Sequence, residues 1–249
     1  MTTKTLALVT GGVGGIGSAI CEELVQRGYQ VLANYHPSEE ARAKDKQKAW
    51  KNAGLDIGIV SGDVASFASC TDMAKAIKEK FGTVQVLVNC AGITRDKTLK
   101  KMEEADWATV LHVNLDSVFN VTKQFIDGMT EAGFGRVVNI SSINGKKGQF
   151  GQTNYSAAKA GMHGFAMALA QEVARKGVTV NCVSPGYTNT AMMQAIPEDV
   201  LKQIVAQVPM QRLAEPDEIA YVVGFLADKR AGYITGANIS ANGGLFISF

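Results

Sequence analysis

The chain predicts an α/β fold, with a parallel sheet covered by helices on both faces. Two observations carry this. Short apolar runs alternate with longer helix-prone stretches from one end to the other, and such alternation with short connections is the pattern of a parallel sheet. The first apolar run also breaks at once into a glycine-rich turn, TGGVGGIG at residues 10–17. A turn of that kind suits a strand that feeds directly into a helix.

Taken in order, residues 6–9 (LALV) form the first strand. Residues 15–27 read as a helix, with Ile16, Ile20 and Leu24 spaced along one face. Residues 30–34 give a second strand and the charged stretch 38–51 a second helix. A third strand at 56–61 ends at Gly62 and Asp63. Ser66 caps a helix that runs to residue 81. The fourth strand is 84–89. Residues 103–129 read as one long helical stretch, apolar at Trp107, Val110, Leu111 and Leu115. A fifth strand at 136–141 (RVVNIS) leads through a Gly-rich loop into a helix carrying Tyr155 and Lys159. The sixth strand, 178–184, is ended by Pro185. Short helices at 197–207 and 216–226 and a last strand at 237–240 complete the chain. No linker, repeat or low-complexity tract interrupts the pattern, which predicts one domain over residues 1–249, a doubly wound, Rossmann-type sheet.

Composition narrows the function classes. Of 249 residues, 46% are apolar and 19% charged, which is globular. A formal charge of +2, with no basic run interleaved with aromatics, argues against a nucleic-acid binder. The four cysteines are widely spaced, with no Cys-x-x-Cys pair, so neither a disulfide framework nor a zinc site is expected. The three histidines are scattered, and no metal site is assigned. With no signal peptide and no apolar run long enough to span a bilayer, a cytoplasmic location away from membranes is expected.

The glycine loop points to a dinucleotide. Glycines let the backbone approach a pyrophosphate, and the helix that follows offers free amides and positive potential. Two frames fit: Gly12, Gly14 and Gly17, or Gly11, Gly15 and Gly17. An acid at the end of the second strand often takes the ribose 2′-hydroxyl. Here that end reads ANYHPSEEAR, with no acid at residues 34–36. Tyr35, Ser38 and Arg42 are instead candidates for a 2′-phosphate, which favours NADP over NAD.

Tyr155 and Lys159, four apart, project from one face of their helix. A phenol alone has a pKa of about 10, and a fixed ammonium nearby would lower it. Ser142, at the end of the fifth strand, can return to the same point and hold a substrate carbonyl. A proton donor, its tuner and an orienter are what carbonyl reduction needs beside a hydride source.

These motifs resemble the short-chain dehydrogenase/reductase family over essentially the whole chain. The match comprises Thr10-Gly11-(x3)-Gly15-x-Gly17, Asp63-Val64, Asn89-Cys90-Ala91-Gly92, Asn114, Ser142, Tyr155-(x3)-Lys159 and Pro185-Gly186. Cys90 stands where the family usually has a second asparagine, and little loss is expected because the neighbouring backbone matters more. The resemblance selects the second glycine frame, with Ile16 inside it, and supplies roles. Tyr155 would protonate the carbonyl oxygen. Lys159 would lower the pKa of Tyr155 and bind the nicotinamide ribose. Ser142 would polarise the carbonyl, and Asn114 would break its helix and hold a water that relays protons. Asp63 and Val64 would contact the adenine. Asn89, Ala91 and Gly92 would lie along the cofactor, and Pro185, Gly186, Thr188 and Thr190 around the nicotinamide.

Within the family, GQFGQTNYSAAKAG and KGVTVNCVSPGY most resemble the branch that reduces acetoacetyl-CoA. The competing branch reduces 3-oxoacyl groups on a carrier protein. An acidic carrier protein wants a basic docking patch, and residues 127–135 carry no basic residue. Gln149, Phe150, Gln152 and Tyr187 are expected to border the acyl pocket, and residues 188–210 to form a lid. The family also implies a homotetramer. A dinucleotide-binding regulator without catalysis is the third possibility, disfavoured because it has no need of Ser142, Tyr155 and Lys159 together.

Overall fold

Strand residues alternate between two hydrophobic layers, and that alternation organises the molecule. The computed structural model describes residues 4–194 and 196–247. In β1 (Leu6–Val9), Leu6 and Leu8 enter one core while Ala7 and Val9 enter the other. The same division follows through β2 (Gln30–Tyr35), β3 (Ile57–Ser61), β4 (Val84–Asn89), β5 (Gly135–Ile140) and β6 (Val178–Pro185), whereas β7 (Asn238–Ala241) packs Ile239 and Ala241 against the second core alone. Among the described residues the seven strands are all parallel, in the order β3-β2-β1-β4-β5-β6-β7. A sheet buried on both faces reads as near-continuous apolar runs, as these strands do.

One core is covered by α3 (Phe67–Phe81), α5 (Ser117–Glu131) and α7 (Thr153–Val173). The other is covered by α1 (Gly15–Gln26), α2 (Glu40–Asn52) and α10 (Pro216–Ala227). Strand order reverses between β1 and β4, so their carboxyl ends open a crevice where a ligand is expected in such sheets. The Ser66 hydroxyl caps α3 by accepting from the Ser69 amide at 3.3 Å. Among the described residues no helix is long and apolar enough to cross a membrane.

Three local features differ from expectation. The long helix at 103–129 is α4 (Glu104–Leu111) and α5 joined by a π-helical turn, His112–Asp116. Asn114 lies within it, and its amide donates to the Val110 and Ile93 carbonyls, both at 2.9 Å. The Gly-rich loop after β5 contains a short helix, α6 (Asn144–Lys147). Beyond β6, α8 (Ala191–Gln194) precedes α9 (Glu198–Gln207). Ala195, within the expected lid, lies outside the described residues.

Candidate active site

The glycine loop is tied to the loop after β4 by backbone, and side chains serve as the ties. The Thr10 hydroxyl accepts from the amides of Cys90 at 2.9 Å and Ala91 at 3.1 Å. Cys90 thus contributes its N–H here, consistent with a tolerated change of side chain. Gly11 sits at φ +61°, and a Cβ there would stand 2.9 Å from Ala91 Cα. A Cβ on Gly17 would collide with the Gly11 carbonyl, so α1 can start this close only with glycine. Gly15 faces Thr190, whose Cγ2 lies 2.9 Å from where a Cβ would be. The glycine loop and the segment after β6 therefore meet at Gly15 and Thr190, and a Cβ on Gly12 would also be crowded, 2.7 Å from Ala33 Cβ.

Asn34, buried at the end of β2, holds this arrangement from below. Its Oδ1 accepts from the Gly11 amide at 3.4 Å, and its Nδ2 donates to the Gly62 carbonyl at 3.0 Å. These contacts of Thr10 and Asn34 are with backbone, so periodicity and charge gave no signal for them.

On the other side of the cleft lies a buried polar corner. Ser142 is 9% exposed, Lys159 3% and Asn114 0%. Lys159 Nζ donates to the Ile140 carbonyl at 2.8 Å and lies 5.5 Å from the Tyr155 ring centroid. Burial depresses the Lys159 ammonium to about 8. Burial pushes the Tyr155 phenol up to about 12, while a hydrogen bond with Ser142 pulls the other way. The expectation of a Tyr155 pKa lowered by Lys159 is therefore corrected: desolvation dominates, and the phenol is neutral at physiological pH. A neutral phenol is the form that donates a proton.

Asn114 Oδ1 is buried and has no hydrogen-bond partner among the described residues. It stands 2.6 Å from where a Gly92 Cβ would be, and Lys159 Nζ stands 3.4 Å from the same point. Gly92 thus leaves open the space between an orphaned acceptor and an ammonium. A further chain runs from Ser142 outward. Ser142 Oγ accepts from the Asn144 amide at 3.1 Å, Asn144 Nδ2 donates to Gln152 Oε1 at 2.9 Å, and Gln152 Nε2 donates to Asp96 at 2.7 Å. Asn144 and Asp96 were not foreseen, because the chain joins three separate segments.

Other expected positions fall variously. Asp63 lies at the end of β3, its Oδ1 accepting from the Ala65 amide at 2.9 Å, with buried Val64 beside it. Asn89 Nδ2 donates to Asn139 at 2.8 Å and Thr122 at 3.1 Å within the core, while its buried Oδ1 has no hydrogen-bond partner among the described residues. Tyr35 is buried in the core beneath α2. Arg42 pairs with Glu39 at 2.7 Å, an i,i+3 contact that its own helix turn favours. Ser38 bonds His36 Nδ1 at 2.7 Å at the strand exit. Gly186 packs on Asn242, and Thr188 forms an isolated parallel bridge with Ala214. Phe150 is 88% exposed, so it does not line a closed pocket, and Gln149 accepts from Lys147 at 2.9 Å. Tyr187 lines a cavity of about 340 Å³ with Gly186, Val208, Met210 and Asn242.

Known proteins resemble this chain over nearly its whole length. The family model described as short chain dehydrogenase matches residues 5–201. A protein of Allochromatium vinosum named acetoacetyl-CoA reductase is 59% identical over 97% of this chain and 98% of its own length. One of the same name from Cupriavidus necator is 54% identical over 98% of each. The 3-oxoacyl-(acyl-carrier-protein) reductase FabG of Haemophilus influenzae is 41% identical, again over 98% of each.

Proposed function

The chain belongs to the short-chain dehydrogenase family, and from that premise we propose that it is a cytoplasmic, NADPH-dependent reductase of acetoacetyl-CoA, yielding (R)-3-hydroxybutyryl-CoA for polyhydroxybutyrate synthesis. The observation that carries this is near-full-length identity of 59% and 54% to proteins named acetoacetyl-CoA reductase, against 41% to the carrier-protein enzyme.

The cleft fits a nicotinamide dinucleotide, because the glycine loop presents backbone without side chains and the orphaned Asn114 Oδ1 adjoins Lys159. Gly11, Gly15, Ile16 and Gly17 would hold the pyrophosphate, and Asp63 and Val64 the adenine. Ser38 is the best placed of the predicted 2′-phosphate contacts, as it alone of the three sits at the strand exit without a carboxylate partner or core burial. Ala91 and Gly92 would lie along the cofactor, with Asn89 acting through the core. Pro185, Gly186, Thr188 and Thr190 would surround the nicotinamide. When bound, the reduced cofactor supplies the hydride.

The protein's own groups manage the proton. Ser142 donates to the keto oxygen and fixes its direction. Tyr155, held neutral by burial, gives its proton to that oxygen as negative charge develops. Lys159 binds ribose hydroxyls and, with Asn114 Oδ1 and a relay water between them, returns a proton to the phenolate. Gln152, anchored by Asp96 and Asn144, and Tyr187 border the acyl chain. Residues 188–210 act as a lid.

A homotetramer is part of the proposal. Phe67 and Phe119 stack with centroids 6.0 Å apart on the outer surfaces of α3 and α5, 47% and 52% exposed. Such a face suits burial against another copy.

The test is direct. NADPH oxidation is followed with acetoacetyl-CoA and with the acetoacetyl carrier-protein thioester at equal concentration. The higher kcat/KM is expected for the CoA thioester. Preference for the carrier-protein thioester would assign the chain to fatty-acid synthesis, and no turnover of either would leave a binding protein.

A further inference from the structure

One histidine outside the proposed catalytic set is locked into the same corner. His163 lies one turn beyond Lys159 on α7. Its Nε2 stands 2.8 Å from Ser141 Oγ and 2.7 Å from Asn238 Nδ2. Ser141 is 3% exposed and immediately precedes Ser142, and its Oγ donates to the main-chain carbonyl of Lys159 at 2.9 Å. Asn238 opens β7, and the fully buried Ser184 on β6 donates to Asn238 Oδ1 at 2.7 Å. That bond turns the Asn238 NH2 group toward the imidazole.

Proton accounting then fixes the state of the ring. Asn238 Nδ2 can only donate, so Nε2 must accept and be unprotonated. The single Ser141 hydroxyl proton is shared between Nε2 and the Lys159 carbonyl. Burial, with the positive charges of Lys146 and Lys159 adding to it, disfavours its charged form. A neutral His163 with its proton on Nδ1 is therefore the state that matches this orientation of the Asn238 amide.

We propose that His163 is a positioning residue that clamps the Ser142 strand end to the Lys159 turn of α7 through Ser141, with Asn238 and Ser184 as its anchor. The clamp bridges the two elements that carry the reacting side chains. Ser142 comes from the end of β5, Tyr155 and Lys159 come from α7, and Ser141 to Lys159 is a direct polar tie between them. Without His163 the Ser141 hydroxyl keeps the carbonyl but loses the contact that sets its rotamer. Catalytic geometry is steep in this respect: a displacement of about 1 Å at a reacting group costs on the order of 100-fold.

The inference rests on the proposed reductase activity for its kinetic readout, and it has a second readout that does not. His163→Ala should lower kcat for acetoacetyl-CoA reduction about 10- to 100-fold, with KM and the NADPH dissociation constant within about twofold of the parent. His163→Gln, whose Oε1 can accept from Asn238 and Ser141 as the imidazole Nε2 does, should recover most of that loss. His163→Ala added to Ser141→Ala should cost nothing further, because both remove one tie. Independently of turnover, the imidazole nitrogen signals of His163 at neutral pH should show an unprotonated Nε2 that shifts in Asn238→Ala. Unchanged kcat in His163→Ala, additive losses with Ser141→Ala, or no recovery in His163→Gln would overturn the clamp. A protonated Nε2 would overturn it even if the chain proves not to reduce acetoacetyl-CoA.

Discussion

The polar corner between β5 and α7 and the segment after β6, proposed above as a lid, are held in opposite ways. In the corner, Ser141, Ser142, Asn144, Asn154 and Lys159 are all buried, and each has at least one hydrogen bond to another element or loop. In the lid, α9 has no buried residue. Its apolar positions Leu201, Ile204 and Val205 are only half covered, and Val200 is 40% exposed. Val208, 3% exposed and packed over Gly243, is the first firm anchor beyond it. The corner is over-determined before any ligand arrives, whereas the lid helix has an amphipathic face with too little core to cover it. Catalytic side chains must be fixed in advance, and a closing element must retain something to gain on closure.

The largest effect that tests the corner is removal of its acid. Tyr155→Phe keeps the ring and deletes the hydroxyl that hydrogen-bonds with Ser142. Turnover should fall about 10²- to 10⁴-fold, while NADPH affinity, measured by fluorescence titration, stays close to that of the parent. A variant with more than a tenth of the parental kcat would mean that the proton comes from another group.

A backbone substitution comes next. A Cβ on Gly92 would lie 2.6 Å from Asn114 Oδ1 and 3.4 Å from Lys159 Nζ, both buried and hydrogen-bonded through their donors. Neither can retreat easily, so Gly92→Ala should lower kcat by about 10- to 100-fold. Gly15→Ala meets only the Thr190 methyl, the end of a side chain, and should be milder. The order of the two variants, read from kcat with saturating substrates, is the measurement. Equal effects would mean that the corner is as yielding as the cofactor loop.

Burial of Lys159 gives the third test, now in stability. Its pKa falls from the usual 10.5 to about 8 because the ammonium loses water. Below about 8 the folded protein carries that charge at full cost. Between about 8 and 10.5 the folded form is neutral while the unfolded chain still binds the proton, so stability rises with pH. Lys159→Met removes the charge and one hydrogen bond to Ile140. It should therefore stabilise the ligand-free protein by about 2 kcal/mol at pH 7, after roughly 1 kcal/mol is deducted for the lost bond. The gain should shrink as pH rises toward 10, and activity should be lost. Urea denaturation at pH 7 and pH 10 decides it, and a destabilised variant at pH 7 would show that the bond outweighs the buried charge.

The same contrast explains what could be read from the sequence. Strand runs, the glycine turn and the Tyr155–Lys159 spacing were legible because side-chain type or period carries the information. The Ser66 cap was legible because a local hydroxyl performs it. Asn34 and Asn144 were not assigned to the site, and Thr10 was read only as the start of the glycine motif, because they hold backbone or amides that the fold alone brings near. Arg42 was legible as a cation but not as one paired with Glu39. The Tyr155 pKa was misjudged in direction because spacing shows the nearby ammonium and hides the burial of both groups.

The smallest expected effect lies in the lid, where motion replaces chemistry as the observable. The α9 amides should exchange quickly in the free protein, because the helix has few buried contacts and its opening costs little. Cofactor and acyl thioester would supply the surface that Leu201, Ile204 and Val205 lack, and each half-covered residue that becomes buried contributes a fraction of the roughly 1.5–3 kcal/mol available for full burial. Three such residues, offset by the entropy of ordering the segment, leave about 1 kcal/mol, or slowing of roughly fivefold. NADP with acetoacetyl-CoA should therefore slow exchange across Glu198–Gln207 about fivefold, and NADP alone should slow it less. The amides of α7, already buried, should change little under the same conditions, which makes them the internal reference. Val208→Ala, by loosening the anchor, should raise exchange in the free protein and KM for the thioester without lowering kcat by more than about twofold. Equal exchange in α9 with and without ligands would reject closure and leave the lid a fixed wall, while leaving the corner and its chemistry untouched.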